Sequence, residues 1–159
     1  FSLFARMPKA NLITSNLDNI ILTQLSLFKE SNKKIDWIYE SNESSKKPVS
    51  IDPQLFRQAL TNLIQNSLDA ISEKKMKQKG VIKISVLETD KSINLIIEDN
   101  GLGFPKDRYT LLNPYVTLRS NGSGLGLSIV KRIVDEHKAK LILEDSIMGG
   151  AKIIIELKT

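Results

Sequence analysis

The sequence predicts a two-layer α/β (α+β) sandwich, in which a mixed, mainly antiparallel sheet carries about three helices on one face. Two hairpins predict the sheet, because apolar and polar residues alternate along both halves of residues 81–99 and of residues 141–157, around a short polar turn. Three other stretches predict the helices, since their apolar residues recur at the helical period. At 159 residues, the chain is long enough for one such domain.

The first helix and two short strands are predicted before residue 52. Asn16 is a suitable N-cap, and the apolar face that follows comprises Leu17, Ile20, Ile21, Leu25 and Phe28. Residues 35–39 alternate as one strand, and residues 49–51 form another after a polar turn.

Asp52 and Pro53 predict the start of the second helix, because a capping carboxylate precedes proline at the first helical position. This helix is predicted to run to about Lys75. Residues 104–121 lack a period and contain two prolines, which predicts a functional loop rather than an ordinary connection. The third helix is predicted over residues 123–136, with an inward face of Leu127, Val130, Ile133 and Val134.

Composition excludes several classes of protein. The chain has no cysteine, which excludes disulfides, thiolate metal sites and cysteine nucleophiles. Its apolar runs are too short to cross a bilayer. The net charge of +5 arises largely from lysines at 46–47 and 74–79, and neither run is interleaved with the aromatic side chains of a single-strand-binding surface. We therefore expect no nucleic acid partner and no membrane contact by this domain.

Three glycine-bearing segments follow the second helix. In residues 99–103 a carboxylate at a strand end can accept the exocyclic N–H of adenine, and Gly101 and Gly103 let the backbone lie close to a flat base. Residues 122–127 enter the third helix, whose first N–H groups can hold phosphate oxygens. Each segment alone has a plain alternative, a strand-ending turn in the first case and a flexible helix entry in the second. The third segment is residues 149–151.

A line of polar side chains accompanies these segments on the second helix. At about 100° per residue, Asn62, Asn66 and Asp69 lie along one edge of the apolar stripe, where they can face a cavity. The amide oxygen of Asn66 suits a Mg²⁺ ion that phosphates and water otherwise hold. Singly, both asparagines could instead be surface amides bonded to neighbouring loops. The four features in this order predict a pocket for ATP.

With these residues the chain resembles the catalytic, ATP-binding domain of sensor histidine kinases, in the GHKL superfamily that includes gyrase and MutL. The resemblance covers residues 52–157 and implies the Bergerat fold. Residues 4–8 (FARMP) and 114–119 (PYVTLR) are similar to the NtrY branch of nitrogen-regulation kinases. Four segments carry the resemblance: the N box at residues 62–70, the two glycine boxes at 99–103 and 122–127, and the aromatic F box of the ATP lid at 115–119.

The resemblance implies a role for each matching residue. Asn66 would bind Mg²⁺, Asp99 would read adenine, and Gly101 and Gly103 would form the floor of the base site. Arg119 would approach the terminal phosphates, where a positive fork stabilises charge during transfer. The remaining nucleotide-binding residues would be Asp69, Tyr115, Thr117, Gly122, Ser123, Gly124, Leu125, Gly126 and Leu127. Two departures, Leu118 and Ala151 in place of threonines, would each remove a hydroxyl.

Asn62 distinguishes two reactions. In the ATP-hydrolysing relatives a glutamate at this position activates water, whereas an amide cannot act as a general base. We therefore expect transfer of the γ-phosphoryl group to a positioned histidine, with Asn62 and Arg119 as catalytic residues. His137 is the only histidine and is expected to be exposed at a helix C-terminus. The acceptor is therefore expected on an upstream helix, of which residues 1–10 would be the end, while residues 11–159 form the catalytic domain.

Two alternatives remain for the function. A GHKL-type ATPase clamp would hydrolyse ATP by itself. A nucleotide-dependent interaction module would bind without turnover, or phosphorylate a partner's serine as anti-sigma-type kinases do. For the kinase, the expected partners are ATP, the upstream dimerisation and phosphoacceptor helices, and a response regulator that meets a homodimeric parent. The domain is expected in the cytoplasm, in a parent that could be anchored in the inner membrane.

Overall fold

The computed structural model describes residues 9–42, 47–75, 77–116 and 126–158. The helical end expected at residues 1–7 lies outside these ranges. In chain order the elements are β1 Ile13–Ser15, α1 Leu17–Ser31, β2 Asp36–Ser41, β3 Val49–Ile51, α2 Pro53–Lys74, β4 Val81–Glu88, β5 Ser92–Asp99, a 3₁₀ helix Arg108–Leu112, α3 Gly126–Glu136, β6 Lys140–Asp145 and β7 Ala151–Lys158.

Five of the strands form one mixed sheet in the order β2-β4-β5-β7-β6. The pair β2 and β4 is parallel, and the other three pairs are antiparallel. Both predicted hairpins are confirmed, as β4–β5 and β6–β7. The mixed, mainly antiparallel sheet is therefore confirmed as well.

One face of this sheet packs against the helices. Side chains alternate between the two faces of a strand, so residues in register share a face. One such row is Ile84, Ile97, Ile153 and Leu143, which runs across four strands and is almost completely buried. The same apolar core includes Leu60, Leu63 and Ile64 of α2 and Val130 and Ile133 of α3. The core also includes apolar residues of α1, so all three predicted helices contribute to it.

β1, which was not predicted, pairs with β3 in a separate two-stranded sheet. In β3, Val49 and Ile51 are buried, and this strand was predicted. In β1, by contrast, no residue is buried. Without a buried face, β1 has no alternation that a sequence pattern could reveal.

Asp52 fixes the start of α2 with both carboxylate oxygens. Its Oδ1 accepts a hydrogen bond from the amide of Leu55 at 3.1 Å, which is the predicted N-cap, and its Oδ2 accepts from the amide of Asn11 at 2.8 Å. The backbone N–H of Asp52 donates to Nε2 of His137 at 2.9 Å. Asp52 therefore connects the incoming chain, α2 and the end of α3.

The expectation that His137 is exposed is wrong. The ring is half-buried and meets Phe56 edge-on, with 5.7 Å between ring centroids. Its Nδ1 lies 2.7 Å from the carbonyl oxygen of Ile133, so both ring nitrogens have partners. The chain turns sharply at Lys138, which has a φ of 53°, and His137 packs back onto α2. A helix-end position alone gave no signal for this tertiary contact.

Replacing Asp52 by alanine is expected to destabilise the domain by about 1–2 kcal/mol, because it removes an N-cap and the acceptor for Asn11. Burial raises the pKa of Asp52, but the backbone hydrogen bonds from Asn11 and Leu55 and the neighbouring His137 outweigh it, so the pKa lies below its usual value. A carboxylate with a lowered folded-state pKa contributes stability at neutral pH that is lost as the pH falls through that pKa.

Urea denaturation of the wild type, Asp52→Ala and Asp52→Asn at several pH values tests this role. The difference between the wild type and the alanine variant should shrink as the pH falls below about 4, the ordinary pKa of an aspartate, and on through the lower pKa of folded Asp52. Asp52→Asn keeps a capping oxygen and should lose less stability. An alanine variant as stable as the wild type at neutral pH would contradict the role.

The loop and the third helix differ from the sequence prediction in detail. Within the predicted loop, Arg108–Leu112 forms a 3₁₀ helix whose Leu111 is buried. The described part of α3 begins at Gly126, and the predicted start at residue 123 lies outside the described residues. Among the helices of the described ranges, none is long and apolar enough to cross a membrane.

Candidate nucleotide site

A cavity of about 100 Å³ opens where α2, the end of β5 and the start of α3 meet. Most of its walls are apolar, and Asp99 is the one carboxylate among the described lining residues. Those residues are Asn66, Ser67, Ala70, Asp99, Leu102, Gly103, Phe104, Leu111, Val116, Gly126, Leu127, Ala151 and Ile153.

Asp99 lies at the base of this cavity and is only 3% exposed. Its Oδ1 accepts hydrogen bonds from the amides of Gly101 at 2.9 Å and Ala151 at 3.2 Å, and its Oδ2 accepts from the hydroxyl of Ser67 at 2.9 Å. Burial raises the pKa of Asp99, and it prevails over these hydrogen bonds and the charge of Lys74, which lower it. The result is a fixed acceptor in an apolar slot, which suits the N–H edge of a flat base.

Glycines allow the backbone to approach Asp99. A Cβ on Gly101 would lie 2.6 Å from the backbone carbon of Ala70, and a Cβ on Gly150 would lie 2.3 Å from Oδ1 of Asp99. Gly103 lines the cavity with a φ of 77°. The two glycines predicted to form the floor of the base site therefore differ in position. Gly103 faces the cavity, whereas Gly101 packs against α2 and holds Asp99 through its amide. Gly150 was not among the predicted site residues, although its segment was singled out.

Of the three polar residues predicted to face a cavity from α2, only Asn66 lines this one. Asn66 lines the cavity, and a Cβ on Gly126 would lie 3.5 Å from its Oδ1, so this amide faces the start of α3. Asn62 and Asp69 are not among the lining residues. Asp69 accepts a hydrogen bond from Nε2 of Gln65 at 2.9 Å, and both line another cavity. The cavity beside Asp99 thus lies on the side of α2 that carries Asn66. Asp69 lies at the opposite edge of the predicted polar line and faces the other cavity.

That other cavity is larger, about 630 Å³, but it lies between the end of α1 and α2. None of the glycine segments lines it. We therefore regard the smaller cavity, with its buried carboxylate, as the candidate site.

Part of the predicted lid and phosphate end can be located. Gly126 and Leu127 line the cavity. Tyr115 is exposed with a φ of 69° and is not a lining residue, whereas its neighbour Val116 is one. The other predicted residues lie outside the described residues: Thr117, Arg119, Gly122, Ser123, Gly124 and Leu125.

Ser67 and the apolar walls of the cavity were not predicted from the sequence. Ser67 occupies a position at which a small residue of α2 simply packs inward, and nothing in its spacing pointed to Asp99. The walls contributed by Leu111 and Ile153 come from the 3₁₀ helix and β7, which are remote in sequence from the glycine segments. Only the tertiary fold brings these residues together.

The residues present fit Mg²⁺ better than a metal held by protein alone. No group of three or more His, Cys, Asp or Glu side chains gathers within the described ranges. No described residue hydrogen-bonds the side chain of Asn66. One amide oxygen is sufficient for Mg²⁺, which takes its remaining ligands from phosphates and water.

Fold and cavity together define a nucleotide-binding sandwich domain. The family model described as histidine kinase-, DNA gyrase B-, and HSP90-like ATPase matches residues 51–159, and the chain belongs to this family. The catalytic domain of histidine kinase ThkA, in a nucleotide-free form, is 28% identical with a TM-score of 0.82 over 93% of this chain and 95% of that one. ThkA in complex with response regulator protein TrrA is 27% identical, with a TM-score of 0.81 over 99% of this chain and 44% of that one.

Among curated proteins, the nitrogen regulation protein NtrY of Azorhizobium caulinodans is 36% identical over 99% of this chain. The chain spans 21% of the length of that relative. The resemblance to sensor histidine kinase catalytic domains and their fold is therefore confirmed. ATP is the nucleotide of this ATPase family.

Proposed function

We propose that this chain is the ATP·Mg²⁺-binding catalytic domain of a two-component sensor histidine kinase. It transfers the γ-phosphoryl group of ATP to a histidine on an upstream helix. The buried carboxylate of Asp99 in an apolar slot carries the proposal. Adenine presents an exocyclic N–H donor to such an acceptor, whereas guanine presents a carbonyl oxygen, which the carboxylate would repel.

The phosphates would lie between α2 and α3. Asn66 would hold Mg²⁺, which when bound offsets phosphate charge and orients the phosphate chain. The backbone N–H groups at the start of α3, beside Asn66, would hold phosphate oxygens. Arg119 would approach the terminal phosphate and stabilise charge in the transition state.

Transfer rather than hydrolysis is favoured by Asn62, whose amide cannot take a proton from water. In the transfer, an imidazole nitrogen of the acceptor attacks the γ-phosphorus, and the bond from that phosphorus to the β–γ bridging oxygen breaks. ADP leaves with that oxygen. Positioning supplies much of the rate, because it makes the step effectively unimolecular.

His137 does not suit the role of acceptor. Both its ring nitrogens have partners, and it follows α3 at the end remote from Gly126, roughly 16 Å away along the helix axis. The proposed acceptor therefore belongs to upstream dimerisation helices, of which residues 1–10 would be the end. With γ-labelled ATP, label on His137 of this chain would overturn the proposal.

The proposed partners follow from this reaction. They are the phosphoacceptor helices and a response regulator that receives the phosphoryl group from the full-length homodimer. The likeness to ThkA, whose structure was solved in complex with TrrA, supports the second partner. The domain would lie in the cytoplasm, where ATP is available, in a parent kinase anchored in the inner membrane.

Calorimetry with ATP, ADP and GTP, with and without Mg²⁺, tests the proposal on this chain. ATP and ADP should bind, GTP should bind far more weakly, and Mg²⁺ should strengthen the binding of ATP. Equal affinity for adenine and guanine nucleotides, or no binding of either, would refute it.

Asn66→Ala serves as the metal arm of the same experiment. The variant should lose at least about tenfold in ATP affinity when Mg²⁺ is present, since even the hydrogen-bond partners of metal ligands are worth about that much, and almost nothing without Mg²⁺. Gln65→Ala is the matched control, because Gln65 is the neighbouring amide on α2 and its side chain bonds Asp69, away from the cavity. An equal loss by Asn66→Ala with and without Mg²⁺ would contradict metal binding by this amide.

A further inference from the structure

Ser67 places a hydroxyl group between the core and the candidate site. It is 4% exposed, lines the cavity, and lies next to Asn66 on α2. Its Oγ donates a hydrogen bond of 2.9 Å to Oδ2 of Asp99. A serine in a helix interior can instead bond its own backbone four residues earlier, but this one is committed to a tertiary contact.

The acceptor sites of Asp99 can be counted. An ionised carboxylate has about four lone-pair sites. Two on Oδ1 accept from the amides of Gly101 and Ala151, and one on Oδ2 accepts from Ser67. One acceptor site on Oδ2 is left over, and the lone pairs of Ser67 Oγ lie beside it. These are the acceptors that the carboxylate end of the cavity can offer to a ligand.

We infer that Ser67 is a positioning residue for adenine recognition, which rests on the proposed function. Its hydroxyl fixes the carboxylate so that the remaining acceptor of Oδ2 faces the base, and it favours the ionised form of Asp99. Ser67 thereby supports selection of adenine, whose exocyclic amine needs an acceptor, against guanine.

The charges around Asp99 make this role measurable. Burial raises the pKa of Asp99, while the Gly101 amide, Ser67, the Ala151 amide and Lys74 lower it. Lys74 of α2 is the charged side chain that acts on Asp99, and α3 contributes no charged residue to the described cavity lining. Removing the hydroxyl should raise the pKa of Asp99 further. Protonated Asp99 has one acceptor fewer. As the pH is lowered, the variant should therefore lose adenine binding at a higher pH than the wild type does.

The experiment compares the wild type, Ser67→Ala and Ser67→Thr by calorimetry with adenosine. Adenosine is used because it has no phosphate groups whose titration would add to the pH dependence of binding. Ser67→Ala should bind adenosine about three- to tenfold more weakly at neutral pH, less than the roughly tenfold or greater loss for a direct hydrogen bond to a charged group, because the hydroxyl acts on the base only through Asp99. The pH at which binding falls to half should also move upward. Ser67→Thr, which restores a hydroxyl, should recover both the affinity and the pH midpoint.

Several outcomes would overturn the inference. One is an alanine variant with wild-type affinity and an unchanged pH midpoint, and another is weaker binding with no change in that midpoint. Thermal unfolding of each variant shows whether a loss of adenosine affinity accompanies a general loss of stability. A loss of affinity explained by destabilisation alone would also count against a positioning role for Ser67. If the wild type fails to bind adenosine at all, the proposed function itself fails, and this outcome is distinct from the others.

Discussion

Gly150→Ala is expected to abolish adenine-nucleotide binding and to destabilise the domain by at least about 3 kcal/mol, the upper part of the range for overpacked sites. A Cβ at this position would lie 2.3 Å from Oδ1 of Asp99, 2.4 Å from its carbonyl oxygen and 2.6 Å from the amide nitrogen of Gly101. Two of these atoms belong to the backbone at the end of β5, so no side-chain rotation can relieve the overlap. The carboxylate would have to leave the position in which three donors hold it.

Thermal unfolding and calorimetry with ATP measure the two effects. For a domain of this size, 3 kcal/mol corresponds to a fall in Tm of roughly 6–12 °C. Gly126→Ala is the matched control for stability, because its Cβ would be 3.5 Å from the nearest atom, an ordinary contact with Asn66. That control should keep the wild-type Tm. A Gly150→Ala variant with wild-type Tm and ATP affinity would show that the backbone can move aside.

Most of the fold could be predicted because its patterns are local. Burial alternates residue by residue along β7, and Asp52 and Pro53 mark the start of α2 within the sequence itself. What could not be predicted depends on contacts between distant residues. β1 has no buried residue, and His137 is half-buried only because the chain turns back after α3.

The residues of the site also fall into those that the sequence could predict and those that it could not. Asp99 and Asn66 could be identified because a carboxylate at a strand end and an amide on a helix edge are chemical signals in themselves. Ser67 could not, since its role depends on which strand end lies beneath α2. The roles of Gly101 and Gly150 were also unpredictable in detail, because a glycine signals close approach without saying to which atoms.

The buried charge of Asp99 destabilises the folded domain at neutral pH, while the same carboxylate is proposed to bind adenine. The substitution Asp99→Asn can separate these two effects. The amide oxygen can accept from Gly101 and Ala151 as Oδ1 does, and the Ser67 hydroxyl can turn to accept from the new N–H. Alanine would leave all three donors unpaired, so asparagine is the cleaner change. Because the folded-state pKa of Asp99 is raised, the folded protein binds more protons, and its stability falls as the pH rises between the ordinary and the raised value. At neutral pH the uncharged variant should therefore be at least as stable as the wild type.

Adenine binding should respond in the opposite direction. Asp99→Asn replaces the acceptor facing the base by a donor, and the loss of a hydrogen bond to a charged group should weaken adenosine binding about 10- to 150-fold, with or without Mg²⁺. The loss for guanosine should be smaller, since its carbonyl oxygen can accept from the new N–H. Glu98→Gln is the matched control: it makes the same change one residue earlier in β5, where the side chain faces the other side of the sheet and accepts from Ser146. An Asp99→Asn variant that binds adenosine as the wild type does, while Glu98→Gln also leaves binding unchanged, would mean that the base is recognised elsewhere in the cavity.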